Sequence, residues 1–168
     1  MRDIQFREGQ SALTDQETGL PNGLHFDTVF DIIFAFGARG IPVTLVLLEV
    51  EELPEWREEK TGAEIQRVLR WLGGILTSSV RRSDLAARTD EARFALILVD
   101  CNVAGGRLVA DRLDLFLDPV REATGLRFSM GVAAYQQEMS SPEELLGGAE
   151  GALRSARALG GDRAGFHR

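Results

Sequence analysis

The chain has 168 residues, 44% of them hydrophobic and 27% charged, which is the composition of one soluble globular domain long enough to bury a full core. Its 19 basic and 26 acidic side chains leave a formal net charge of −7, a balance that argues against a general nucleic-acid binder or a binder of anionic membranes. Cys101 is the single cysteine, which excludes an internal disulfide framework and a cysteine-rich zinc site.

Residues 1–12 are polar and read as a loose arm or the end of a preceding helix, without the apolar run of a signal peptide. Residues 22–36 carry Leu24, Val29, Phe30, Ile32, Ile33, Phe34 and Phe36, too long an apolar stretch for one strand. Pro21 placed just inside the start and Gly37 just after the end predict a helix. Residues 43–50, nearly all apolar and rich in β-branched types, predict a strand covered on both faces. Residues 62–80 repeat apolar positions at helical spacing. Leu85–Arg88 and Arg93–Val99 flank the four residues Thr89–Ala92 and predict a hairpin. Residues 103–117 read as a helix and 126–134 as a strand. Ser141, with Glu144 at the third helical position, opens a last helix as a capping box. That helix runs to about Leu159 and stops at Gly160-Gly161. The order α β α β β α β α predicts a mixed sheet with helices packed on it. No window approaches 18 apolar residues, so no span of a membrane is expected, and the cytoplasm is the expected compartment.

Lys60 is the only lysine, so 18 of the 19 cations are arginine. A GC-rich genome gives such a bias, and the functional alternative is recognition of phosphate or guanine by planar guanidinium groups. His25 and His167 are far apart, so no histidine-based metal site is expected. Glu51, Glu52, Glu55, Glu58 and Glu59 surround Trp56 and read as a solvated helix start, with a cation site or partner surface as the alternative. Trp71 and Phe116 fall on apolar helical stripes and are expected in the core. His25 is expected on a helix surface, and Cys101 buried or half-buried.

Several segments carry a likeness in order. Asp15-Gln16-Glu17-Thr18-Gly19-Leu20-Pro21-Asn22 is followed by Leu47-Leu48-Glu49-Val50-Glu51 and Ser83-Asp84-Leu85-Ala86-Ala87-Arg88. Then come Phe94-Ala95-Leu96-Ile97-Leu98, Phe128-Ser129-Met130-Gly131-Val132-Ala133 and Ala149-Glu150-Gly151-Ala152-Leu153. Together, over residues 13–166, they resemble GGDEF domains, the diguanylate cyclases that condense two GTP into cyclic di-GMP. The resemblance implies an α/β (α+β) fold over 13–168, a five-stranded mixed sheet flanked by helices and akin in plan to nucleotide-cyclase palm domains.

It also implies lost chemistry. The family signature falls on Asp90-Glu91-Ala92-Arg93-Phe94, where only Phe94 matches. Two glycines that admit a nucleotide closely become acids. The metal-ligating acid becomes Ala92, which has no oxygen, and the next acid becomes Arg93. Glu49 keeps a carboxylate at the other metal position, but one carboxylate does not hold two Mg²⁺. The guanine-reading Asn and Asp become Arg57 and Gln66. Of two phosphate-binding cations, Arg157 keeps its charge and Gly161 does not. No cyclase activity, catalytic residue, metal or cofactor is expected.

One site of the family remains. Its inhibitory product site is an R-x-x-D motif with the arginine nine residues before the signature, and Arg81-Arg82-Ser83-Asp84 stands there. Arg81 can fork onto guanine O6 and N7 or onto phosphate, and Asp84 can accept from guanine N1–H and N2–H₂. Arg112 supplies the usual second arginine when the intervening loop carries no insertion. The competing reading of Asp84 is structural: a short acid starting a strand bonds nearby backbone N–H groups. The expected function is an inactive domain that binds cyclic di-GMP and reports it to another domain or protein, a second copy included. The alternatives are a ligand-free interaction or dimerisation scaffold and a GTP-binding domain without turnover.

Overall fold

The protein is described by a computed structural model in which residues 12–167 are placed; the expected arm falls almost wholly on residues 1–11, outside the described residues. The elements are α1 Gly23–Gly37, β1 Val43–Glu51, α2 Leu53–Glu58, α3 Gly62–Ser79, β2 Leu85–Arg88 and β3 Arg93–Val99. They continue with α4 Val103–Thr124, β4 Arg127–Ala134, α5 Pro142–Ala158 and β5 Ala164–Phe166. One sheet has the order β2-β3-β1-β4-β5. Its first three pairings are antiparallel and β4–β5 is parallel, as the crossover through α5 requires.

The expected mixed five-stranded sheet with helices on both faces is the one observed. β1 is the central strand, and the period of two sorts its side chains. Val46, Leu48 and Val50 enter a core with Leu69, Leu72 and Leu76 of α3 and Leu113 and Leu117 of α4. Val43, Leu45 and Leu47 enter a second core with Phe26, Phe30 and Phe34 of α1 and Leu145 and Leu153 of α5. Gly131 of β4 lets α5 lie close to the sheet, because a Cβ there would stand 2.2 Å from the Ala149 carbonyl oxygen.

Several sequence expectations are corrected. Pro21 lies before α1 rather than inside it: Asn22 is the N-cap and accepts from the His25 amide at 3.1 Å. Pro21 instead gives its carbonyl to the Arg88 amide at 2.8 Å. Gly37 is the last helical residue, and His25 is half-buried. α4 continues past residue 117 through Pro119 to Thr124. The ring stays on the exposed side while Leu113, Leu117 and Val120 keep the buried stripe. Arg121 binds Asp114 and Asp118 across the proline, which holds together the turn whose backbone bond is missing.

At α5, Ser141 is the N-cap but makes no side-chain cap bond. Glu144 reaches the Ser140 amide and hydroxyl instead. Trp71 and Phe116 are exposed by 39% and 44%, so neither is core. Each lies at the edge of its helix's apolar stripe, and the positions inward of them, Leu72 and Leu117, fill the core. Glu51 is not a solvated member of the acidic run. It is buried, accepts from the Ser129 hydroxyl and the Asp162 amide, and pairs with Arg127 at 3.0 Å.

Candidate functional sites

Two concave surfaces contain several of the residues singled out by the sequence. The first is a cleft of about 310 Å³ between the 15–19 loop, α2 and the β2–β3 turn, lined by Asp15, Glu17, Arg57, Arg88, Asp90 and Glu91. The loop folds on Asp15, whose carboxylate accepts from the Thr18 amide at 2.8 Å and its hydroxyl at 2.6 Å. Arg88 is only 5% exposed. It donates to Asp15 at 3.2 Å, to Glu17 at 2.6 Å and to the Glu91 carbonyl at 2.6 Å. Arg57 grips Glu17 with two bonds of 2.9 and 3.1 Å, the fork geometry in which guanidinium binds carboxylate best. Gln66 donates to the Glu17 carbonyl at 3.0 Å.

Burial opposes the Asp15 charge, but Thr18 and Arg88 outweigh it and hold its carboxyl below the usual range. Bonding from Arg57, reinforced by Arg88 and opposed by burial, lowers Glu17 in the same way. Arg57 rises in turn through its bonds to Glu17. Arg57 and Gln66 therefore hold the chain's own loop. The turn itself closes without glycine: none of Thr89–Ala92 has a positive φ, and Asp90 accepts from the Glu91 amide at 2.7 Å.

Beside the cleft, Glu49 is opposite Arg93 in the β1–β3 register. One oxygen accepts from Arg93 at 3.1 Å and the other from Arg157 at 2.7 Å. The carboxylate that could ligate a cation thus carries a guanidinium on each oxygen. Ala92 lies half-buried against the core and offers no side-chain oxygen. Gly161, at φ +69°, seats its backbone over Glu51, where a Cβ would meet the carboxylate at 2.3 Å. These residues do not fit a pair of Mg²⁺ ions, and among the described residues no group of three or more His, Cys, Asp or Glu gathers to hold a metal.

The second surface is a cavity of about 390 Å³ between the end of α3, the β2 entrance and the first turns of α4. Arg81, Asp84 and Arg112 all line it, with Leu108 and Cys101. Arg81 is exposed and its guanidinium has no partner among the described residues. Arg112 donates one bond to the Ser79 carbonyl at 2.7 Å, which aims the side chain along the cavity wall. Both Asp84 oxygens are engaged: one accepts from the Arg81 amide at 2.9 Å, the other from the Val99 amide at 3.0 Å. The oxygen facing Val99 also accepts a long bond from the Ser83 hydroxyl at 3.4 Å, so only the oxygen facing the Arg81 amide keeps an unused lone-pair direction. Arg82 is exposed and does not line the cavity. Burial and the nearby Asp84 push the Cys101 thiol up, so it stays protonated.

Sequence reasoning did not assign roles to Asp15, Glu17 and Arg88. Arg88 is 73 residues from Asp15, and no local pattern pairs charges over that distance. Arg88, a charged residue closing an otherwise apolar strand, was the available signal.

The family described as "Diguanylate cyclase, GGDEF domain" matches residues 12–163. The response regulator PleD of Caulobacter vibrioides is 29% identical over 158 residues, covering 89% of this chain and 35% of PleD. The chain thus spans about a third of that relative's length. The coiled-coil and GGDEF portion of DgcB from Caulobacter crescentus, solved in complex with c-di-GMP, superposes with a TM-score of 0.85 at 20% identity, covering 98% of this chain and 91% of that one. The diguanylate cyclase SiaD of Pseudomonas aeruginosa, solved with its activator SiaC, gives 0.83 at 23% identity, covering 99% and 66%. No helix among the described residues is long and apolar enough to cross a membrane.

Proposed function

The chain belongs to the GGDEF domain family of diguanylate cyclases, and on that premise we propose that it is a catalytically inactive member that binds cyclic di-GMP at Arg81, Asp84 and Arg112. The observation that carries the reading is the convergence of these three residues on one cavity, set against a cleft whose arginines are already paired with its own carboxylates. Arg81 has donors to give, and Asp84, fixed by two amides, is a pre-oriented acceptor for a guanine edge. A volume of about 390 Å³ lies near the small end of ligand pockets, roughly 300–1,000 Å³. It suits one guanine-phosphate half of the ligand, leaving the other half for a second surface. DgcB, a relative in fold, was solved with c-di-GMP.

For catalysis, Arg93 and Arg157 neutralise Glu49, Ala92 supplies no ligand, and Arg57 and Gln66 hold the 15–19 loop. Loss of such electrostatic groups removes orders of magnitude in rate. GTP binding without turnover loses its support, since Glu49 and Arg157 pair with each other. The scaffold reading is favoured by one observation, the backbone bonds that already engage both Asp84 oxygens.

Calorimetric titration of cyclic di-GMP decides between receptor and scaffold. Heat that saturates, with affinity reduced in Arg81→Ala, is expected. No heat at tens of micromolar ligand, or binding unchanged in Arg81→Ala, overturns the receptor reading. Incubation with GTP and Mg²⁺ is expected to yield no cyclic di-GMP, and product formation overturns the inactive assignment.

A further inference from the structure

Across the first turn of α4 lies another cavity, of about 430 Å³, which shares no lining residue with the Arg81 cavity. It opens where β1 begins, β4 ends and β5 has just ended, six residues along β1 from Glu49, or about 20 Å. Val43, Val103 and Ala134 give it apolar walls, and Arg107, Tyr135 and His167 supply its polar groups.

Those polar groups are held in place and have no carboxylate or side-chain hydrogen-bond partner among the described residues. Arg107 lies over the Phe166 ring at 4.2 Å from its centroid. Arg57, Arg88, Arg93, Arg121, Arg127 and Arg157 each have a carboxylate within 4.0 Å; Arg107 has none among the described residues. The Tyr135 ring is wedged on Gly37, where an added Cβ would stand 2.4 Å away, and meets Phe34 edge-on at 5.2 Å. Packing therefore fixes the ring, while its hydroxyl has no partner among the described residues. The His167 ring rests on Gly148 of α5, and its nitrogens are likewise without a protein partner.

A guanidinium stacked on an aromatic ring is weakly hydrated and keeps its forked N–H edge for a planar acceptor. One uncompensated cation matches one negative charge. Apolar walls beside it match an organic body. We propose that this cavity binds a small planar organic monoanion, an aromatic carboxylate. Arg107 pairs with the carboxylate, Tyr135 and His167 donate to it or to the ring's substituents, and the ring lies against Val43, Val103 and Ala134.

The test is a titration of the whole chain with benzoate, followed through its backbone amide NMR signals. Saturable shifts confined to residues 42–43, 102–107, 134–136 and 166–167 are expected, with a Kd on the order of 1 mM, the range open to so small a ligand. Benzamide, the neutral analogue, is expected to bind at least about 10-fold more weakly, as is Arg107→Gln for benzoate. Ala134→Leu, which fills the cavity without removing a charge, is expected to abolish the shifts. Absence of saturable shifts, equal binding of benzamide, unchanged binding in Arg107→Gln, or inorganic phosphate saturating the same signals more tightly than benzoate each overturns the proposal. The cyclic di-GMP titration is judged by its response to Arg81→Ala and this one by its response to Arg107→Gln, at cavities with no lining residue in common, so the two proposals fail separately.

Discussion

The cleft at the 15–19 loop and the cavity at Arg81 use the same side chain to opposite ends. In the cleft, Arg88 and Arg57 point inward and are consumed by Asp15 and Glu17. At the cavity, the Arg81 guanidinium faces solvent unpaired, and Arg112 is bound only to a carbonyl. A guanidinium already matched to carboxylates has little to offer a phosphate, whereas an unmatched one keeps its donors for an arriving anion. Pairing state, rather than the number of arginines, separates a surface that holds the fold from one available to a ligand.

The largest effect that would break this contrast is expected from Arg88→Met. It strands two carboxylates that the buried guanidinium now joins, so urea denaturation should report a loss of about 2–3 kcal/mol, discounted from the fully buried case because both acids are partly exposed. A loss under about 0.5 kcal/mol would mean that the cleft is not held by that residue. Next is Arg81→Ala, for which cyclic di-GMP affinity should fall about 10- to 100-fold, the weight of a charged hydrogen bond, with the melting temperature unchanged. Arg57→Ala should do the reverse, lowering stability and leaving affinity alone.

Asp84→Asn sharpens the contrast further. An amide cannot accept at both positions, so about 1 kcal/mol of stability should be lost by thermal denaturation. Affinity lost beyond that found in a variant of equal instability elsewhere marks a direct ligand contact; affinity that follows stability marks a strand cap alone. The smallest effect is the pH response. Asp15 and Glu17 have folded values below their unfolded ones, near 4. The unfolded chain therefore takes up protons first, and the stabilisation is complete above about pH 5 and lost as pH falls through the folded values. Acid titration of Glu17→Gln should show a shallower fall than the parent chain.

The fold was largely legible because β1 and β3 are continuous apolar runs, α3 repeats apolar positions at helical spacing, and α5 carries start and stop signals. What escaped had no pattern to read. β5 is three residues, Ala164–Phe166, held by its register against Met130–Val132. α2 is six residues that begin with Leu53-Pro54. The extension of α4 past Pro119 is accompanied by ion pairs of Arg121 with Asp114 on its own helix and with Asp162 in the α5–β5 loop. Trp71 and Phe116 were misplaced because a helical stripe does not reveal where its edge stops. The positions that the family likeness marks for a nucleotide site were legible in the sequence, residue by residue. Their present engagements were not: Glu17 with Arg57, and Glu49 with Arg157, are 40 and 108 residues apart.

If the domain is inactive as proposed, the turn at Thr89–Ala92 would resist a return to the family signature. It closes entirely in ordinary backbone conformations, so nothing local favours a return of glycine, and each restored glycine would cost about 0.5–1 kcal/mol in chain entropy. Reversion at Asp90 and Glu91 would also remove the bond that caps the Glu91 amide, while Arg93 and Arg157 still covered Glu49. Each backward step is uphill until all are taken together. On the proposed reading of an inactive domain, the turn works as a ratchet that leaves the chain to uses other than nucleotide cyclisation.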